Sequence, residues 1–263
     1  MHLPGMVRAA LVGGMIMLSA TGTATSDPAG PPATAPADRS DLENAYLQSI
    51  FQSAVKRPSY RKRLVPINAT RRKVTVITLA RTADVPDDFE NPFPHTKGML
   101  RFASRDDDTA VLGHDTWISL PREIGPKCKA AADPLLKLHM ILGMPPQTGG
   151  WEMVRFRVSP QYIFRPCASD PSITTRHCSF DIPARPSGPI GLEGTQSFVF
   201  QQIWSSYTEG FKWPGYPFTG MGWSYNWDPD ARTPYGISEY VVRAGSPVSN
   251  IRTFTPKGFC AAS

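Results

Sequence analysis

The sequence predicts an α+β fold: a central antiparallel or mixed sheet with a few short helices, loop-rich and braced by disulfides. Proline occupies 27 of 263 positions beside 21 glycines. That is about twice ordinary proline usage and argues against long helices and helical repeats. Short segments with the two-residue alternation of strands are interspersed with segments at the helical step, without the regular strand–helix rhythm of a parallel sheet. Hydrophobic residues make up 41% of the chain and charged residues 19%, enough for a buried core, so wholesale disorder is excluded. No uninterrupted apolar run is long enough for a polytopic membrane protein.

Three regions follow from composition. Residues 1–26 read as a secretory leader, with His2 and Arg8 ahead of the apolar run ALVGGMIMLSA and small residues after it. Residues 27–39 continue an Ala/Pro/Thr-rich stretch without apolar period, expected to be a disordered linker. Residues 40–263 form a single globular domain. The rival reading of the leader, an uncleaved anchor, is disfavoured by its shortness and by Gly13 and Gly14. A secreted or periplasmic location follows, with no transmembrane segment in the mature chain.

Along the domain, Ser40-Asp41-Leu42-Glu43 has the form of a capping box, and Leu42, Tyr46, Ile50 and Ala54 recur every four residues. A helix is expected to about Lys56, ended by Pro58. Residues 74–79 (VTVITL) read as a strand, 84–96 as an acidic, proline-rich loop, and 99–103 with 109–112 as a hairpin. Asp106, Asp107 and Asp108 lack the glycine and distal glutamate of a calcium loop and read as a plain turn. Residues 116–120 (TWISL) form a further strand. Asp133 as cap, Pro134 at the first helical position and Gly143 as terminator bound a helix with 135–142 as its body. Strands are expected at 151–158 and 161–165, a long bridged excursion over 166–195, a short helix over 197–207, and closing strands at 235–242 and 250–255. Between them, residues 210–227 are dense in glycine and aromatic side chains, which supply either buried area or a stacking wall.

Four cysteines in an exported chain suggest two disulfides, and four allow three pairings. Cys167 and Cys178 flank a loop-like segment and are paired with each other, leaving Cys128 with Cys260 to fasten the C-terminus. No Cys-x-x-Cys spacing supports a metal site, and no metal is expected. The formal charge is +6. Much of the excess lies at Lys56, Arg57, Arg61, Lys62, Arg63, Arg71, Arg72 and Lys73, a patch able to meet an anionic surface or simply to be solvated. Without interleaved aromatics it gives little support to sequence-independent nucleic-acid binding.

The chain has no His-Glu-x-x-His, no P-loop and no Gly-x-Gly-x-x-Gly. Ser224 and Ser238 lack the second glycine of a nucleophile elbow. His177 adjoins Cys178, but sequence neighbours rarely meet in the geometry of a thiol–imidazole pair.

Two other stretches carry more chemistry: Gly113-His114-Asp115-Thr116-Trp117 at the start of a strand, and Ser238-Glu239-Tyr240-Val241-Val242 on a late strand. Between them lies the helix ending Ile141-Leu142-Gly143. This order resembles the ADP-ribosyltransferase family, in its diphtheria-toxin and poly-ADP-ribose-polymerase branch, over about 30 residues in three pieces. The resemblance implies an exported toxin or effector that uses NAD as substrate and modifies a protein or nucleic-acid target. It implies that His114 holds the nicotinamide ribose and Thr116 shapes that pocket. Glu239 then polarises the ribose 2′-hydroxyl and stabilises positive charge as nicotinamide leaves. Tyr216, Trp223 or Tyr225 would stack on the nicotinamide. The chain departs from the branch at Asp115, where glycine is common, and shows no clear pair of spaced stacking tyrosines.

Two alternatives stay open. One is a non-enzymatic extracytoplasmic domain that recognises a glycan or protein through an aromatic-glycine surface. The other is a glycan hydrolase, which needs a second carboxylate beside Glu239, for which Asp228, Asp230 and Glu209 are nominal candidates.

Overall fold

A computed structural model describes residues 39–55, 62–82, 100–102, 109–179, 191–208 and 215–263. They belong to a compact unit spanning Asp38–Ser263. The leader, nearly all of the linker, the 84–96 loop and the turn at 105–108 lie outside the described residues, as do Lys56, Arg57, Arg61, Glu209 and 210–214.

In chain order the elements are α1 (Arg39–Ala54), β1 (Val74–Arg81), β2 (Leu100–Phe102), β3 (Thr109–Leu112), β4 (Thr116–Ile118), α2 (Pro121–Cys128), α3 (Pro134–Leu142) and β5 (Trp151–Val158). There follow β6 (Ile163–Phe164), α4 (Gly191–Thr208), β7 (Trp223–Tyr225), β8 (Tyr235–Ser238), β9 (Tyr240–Val242), β10 (Pro247–Phe254) and α5 (Pro256–Ala261). The fold is α+β, and among the described residues every strand pair is antiparallel. A five-stranded sheet runs β1-β5-β10-β3-β2, a three-stranded sheet β4-β9-β6, and β7 pairs with β8.

The large sheet is buried along one face and partly covered on the other. Alternation along β1 turns Val74, Val76 and Ala80 to one side, where they meet Val154, Phe156 and Val158 of β5 and Ile118, Tyr240 and Val242 of the small sheet. Ile77 and Met153 turn to the other side and pack on Ile124, Cys128, Leu138, Ile141 and Phe259 from α2, α3 and α5. The predicted α3 is present with its whole punctuation: Asp133 accepts a hydrogen bond from the Leu136 N–H at 3.0 Å, and Gly143 takes φ +68°. Two helices were not expected. α5 opens with Thr255 accepting from the Gly258 N–H, and α2 carries prolines at both Pro121 and Pro126.

On α1 the buried face is Tyr46, Ser49, Ile50 and Ser53. Ala54, predicted to share that face, is exposed, and the serines replace it by returning their hydroxyls to the carbonyls of Tyr46 and Ile50. The stretch 161–165 is only partly strand, because Pro160–Tyr162 makes a single 3₁₀ turn before β6. The helix predicted at 197–207 begins earlier, as α4 from Gly191.

Both disulfides join the predicted partners: Cys128 to Cys260, 132 residues apart, and Cys167 to Cys178, 11 apart. The first ties α2 to α5 beneath the large sheet. Among the described residues no helix is long and apolar enough to cross a membrane.

The two bridges differ in how much unfolded chain they constrain. Replacing Cys128 and Cys260 by alanine is expected to lower the unfolding free energy by about 5 kcal/mol, and replacing Cys167 and Cys178 by about 3 kcal/mol. Denaturant unfolding of the two double variants measures the difference.

Candidate functional site

The two sheets meet at one bridge. Ile77 donates to the Ser119 carbonyl at 3.0 Å and Ser119 returns the bond at 2.9 Å. Past this point β1 and β4 diverge, and residues 78–81 on one strand and 115–118 on the other line a cleft of about 1300 Å³. By the alternation of an antiparallel ladder, Leu79 and Trp117 turn their main-chain polar groups toward each other's strand with no strand between them. The segment after α3, residues 142–148, forms part of the wall, with Gln202 and Ser206 of α4 and Tyr216 to Phe218 forming another.

His114, Thr116, Tyr216 and Glu239 all border this cleft. His114 is exposed, with Nδ1 3.0 Å from the Asp115 carbonyl. A carbonyl only accepts, so Nδ1 is the donor in this contact, and Nε2 is the acceptor whenever the ring is neutral. Asp115 accepts from the Ala244 N–H at 2.8 Å, which fixes the turn that carries His114. Thr116 is buried and spends its hydroxyl on the His114 carbonyl, so it shapes the turn and does not present an OH to the cleft. Tyr216 is 53% exposed.

Trp223 and Tyr225 are not cleft residues. They are buried in a separate cluster with Tyr46, Ile50, Leu64 and Trp227, and neither ring can stack on a ligand. Strand alternation does not protect them, since all three residues of β7 are buried. Tyr225 donates to Gln52 on α1 at 2.6 Å.

Glu239 was expected within a continuous strand over 235–242. It instead occupies the one-residue break where the chain leaves β8, paired with β7, and enters β9, paired with β4 and β6. Its N–H donates to the Gly222 carbonyl at 2.9 Å. The same carbonyl accepts from Arg165 at 3.3 Å. Arg165 is fully buried and also donates to the Val65 carbonyl at 2.8 Å and to the Tyr240 hydroxyl at 3.1 Å, with its guanidinium 4.4 Å from the Tyr240 ring centroid. Gly222 has φ +70°, and an added Cβ would stand 2.8 Å from Arg165 Cδ. Glycine is therefore required twice over, for the backbone angle and for the space.

Glu239 is half-buried, and its Oε2 is sealed from solvent without a hydrogen-bond partner. Burial pushes its carboxyl up to about 8; Lys62 and Arg165 pull it down and Glu123 raises it further. Lys62 reads as part of a basic surface in the sequence, yet it is drawn inside. It donates to Glu123 and to the Gly236 carbonyl, each at 2.8 Å, and burial lowers its pKa. Arg63, Arg71 and Arg72 remain exposed, and Lys73 donates to Ser249 at 2.7 Å. Neither Asp228 nor Asp230 borders the cleft. Asp228 is instead paired with Lys137. The carboxylate near Glu239 is Glu123, on the helix the sequence did not reveal. Among the described residues no group of His, Cys, Asp and Glu is placed to hold a metal ion.

Comparison with known protein families, with curated proteins and with solved structures finds no match to this chain.

Two predictions follow from this geometry. Gly222→Ala is expected to lose about 2–4 kcal/mol of stability, from the left-handed backbone and the clash with Arg165. Gly245→Ala, likewise at positive φ (+78°) but with nothing within 4 Å of the new Cβ, is expected to lose only about 1–2 kcal/mol; thermal or denaturant unfolding reads both.

The second concerns pH. Folding raises the Glu239 carboxyl to about 8, so the folded chain binds this proton more tightly than the unfolded chain does. Stability therefore falls as pH rises from the unfolded carboxyl range towards 8. Glu239→Gln removes that slope and is expected to be about 1–3 kcal/mol more stable than wild type at pH 8, with no difference near pH 4.

Proposed function

We propose that this chain is an exported enzyme that cleaves NAD at the nicotinamide–ribose bond and transfers ADP-ribose to a protein or nucleic-acid target. The observation that carries this reading is the shared location of His114, Thr116, Tyr216 and Glu239 on the walls of one cleft. These four come from three separated parts of the sequence. The leader-like residues 1–26 and the two disulfides support export into an oxidising compartment.

The chemistry follows from the groups present. In the bond-breaking step the C1′–N bond opens and its electron pair leaves with nicotinamide, so positive charge develops on the ribose. Glu239 as a carboxylate accepts a hydrogen bond from the 2′-hydroxyl and stabilises that charge in a partly dehydrated site. His114 Nε2 accepts from a ribose hydroxyl and holds the sugar in place. Tyr216 offers a face for stacking. A nucleophile on the target, or water, then bonds to C1′ and releases a proton. The exposed Arg63, Arg71 and Arg72 supply positive charge for meeting an anionic surface.

Among the described residues of 215–227, Tyr216 is the exposed aromatic and Trp223, Tyr225 and Trp227 are core residues, while Trp117 and Trp151 also line the cleft and Phe200 and Trp204 of α4 are exposed.

The test is NAD hydrolysis and self-modification by the mature protein. Wild type is expected to release nicotinamide, and Glu239→Gln to lower kcat by about 10²–10³-fold while staying folded. Because Glu239 must be ionised and its carboxyl sits at about 8, kcat is expected to rise through that pH. A folded wild type that leaves NAD intact, or a Glu239→Gln variant of equal activity, overturns the reading.

A further inference from the structure

Glu239 sits where the chain crosses between sheets, and an isolated one-residue break has little of its own to hold a carboxylate still. Three charged side chains act on it: Lys62 from the segment before β1, Glu123 from α2 and Arg165 after β6, with Lys127 and Arg122 of the α2 region acting in turn on Lys62 and Tyr240. The distances assign them different tasks. Glu123 Oε1 accepts from the Ser238 N–H at 2.8 Å, from the Ser238 hydroxyl at 3.2 Å and from Lys62 at 2.8 Å. The Ser238 hydroxyl in turn accepts from the Val65 N–H at 2.9 Å. Main-chain N–H groups of two successive residues are thus captured, Ser238 by a carboxylate and Glu239 by the Gly222 carbonyl.

A carboxylate that is mostly shielded, with 11% of its side chain exposed, is costly to bury unless its lone pairs are used. Here three donors converge on Oε1, while Oε2 is buried without a hydrogen-bond partner. A backbone N–H beside a sheet switch could be satisfied more simply by a carbonyl. A charged clamp from another helix is a stronger and more directional choice.

We propose that Glu123, held by Lys62, is the positioning residue for Glu239: it fixes the Ser238 main chain, and through it the place of the Glu239 carboxylate at the cleft wall. This rests on the reading of Glu239 as the group that faces the reacting sugar, and it adds to that reading a second acidic residue and a lysine that do not themselves touch substrate. The two partners act on Glu239 with opposite sign. Glu123 is a like charge and opposes its ionisation, whereas Lys62 and Arg165 favour it.

The experiment compares Glu123→Gln, Glu123→Asp and Lys62→Met with wild type in two readouts. One is kcat and KM for NAD across pH. The other is the titration of the Glu239 side chain, followed by NMR with ¹³C-carboxyl-labelled glutamate and assigned by the signal missing from Glu239→Gln. Glu123→Gln is expected to lower kcat about 10–100-fold with KM within about 2-fold, and to move the Glu239 titration and the acid limb of the rate profile to lower pH. Glu123→Asp keeps the charge but not the reach, so it lowers kcat while leaving the titration within a few tenths of a pH unit. Lys62→Met moves the titration to higher pH.

A fall in kcat with KM and the Glu239 titration unmoved in both Glu123→Gln and Lys62→Met overturns the proposal, as does wild-type kinetics in Glu123→Gln. If Glu123→Gln does not fold, the kcat of Glu123→Asp and Lys62→Met decides: wild-type kcat in both overturns the proposal. If wild type proves inactive on NAD, the enzymatic reading fails by itself. The opposed titration shifts then still test whether this pair governs Glu239.

Discussion

The site depends on one crossing. A chain that runs through β8 and β9 must change partners between them, and the residue at the change, Glu239, belongs to neither ladder. Its geometry is therefore set by whatever holds its neighbours: the Gly222 carbonyl on its own N–H, the Glu123 carboxylate on Ser238, and the buried Arg165 on both Gly222 and Tyr240. Arg165 is fully buried and Glu123 largely shielded, and each spends hydrogen bonds at that crossing while keeping one buried polar atom without a partner. Polar groups are expensive to enclose, so their concentration at a single peptide marks the place where the fold gives up stability for placement.

The cleft and the crossing are consequences of the same divergence. The sheets touch at Ile77 and Ser119 and then open, which exposes the inner edges of β1 and β4. One face of the large sheet packs on the small sheet, and part of the other packs on α2, α3 and α5. The long Cys128–Cys260 bridge clamps α2, and with it Glu123, against the C-terminal helix. A link distant in sequence thereby steadies the helix that holds the site.

Much of the fold was legible because its signals are local. The cap, proline and glycine around α3 are read within eleven positions, and β1 and β5 announce themselves by alternation. The disulfide partners followed from the loop-like segment between Cys167 and Cys178, which left Cys128 to pair with Cys260. α5 carries the same Thr-Pro opening logic as the Asp133-Pro134 start of α3, and it went unrecognised because it lies so close to the chain end. α2 had no such excuse in its first residue, but Pro126 within it argues against a helix in any window.

The candidate site was only half legible, and the missing half is long-range. His114 and Glu239 stand out by chemistry, yet nothing near residue 239 marks a break: an apolar run with regular alternation reads as one strand. The partners that impose the break, Gly222 and Glu123, lie far away in sequence. Lys62 was hidden in a basic run whose other described arginines are solvated, and only burial separates it from them. The Trp223 and Tyr225 rings illustrate the opposite error, since an aromatic in a glycine-rich segment supplies core area as readily as a ligand wall.

The most direct measurement is a crystal structure of the Glu239→Gln variant soaked with NAD. The expected result is the nicotinamide ribose seated in the opening between β1 and β4, its hydroxyls within hydrogen-bond distance of residue 239 and of His114 Nε2. A dinucleotide bound outside that opening, or a cleft left vacant at saturating NAD, would contradict the assignment of Glu239 to the reacting sugar.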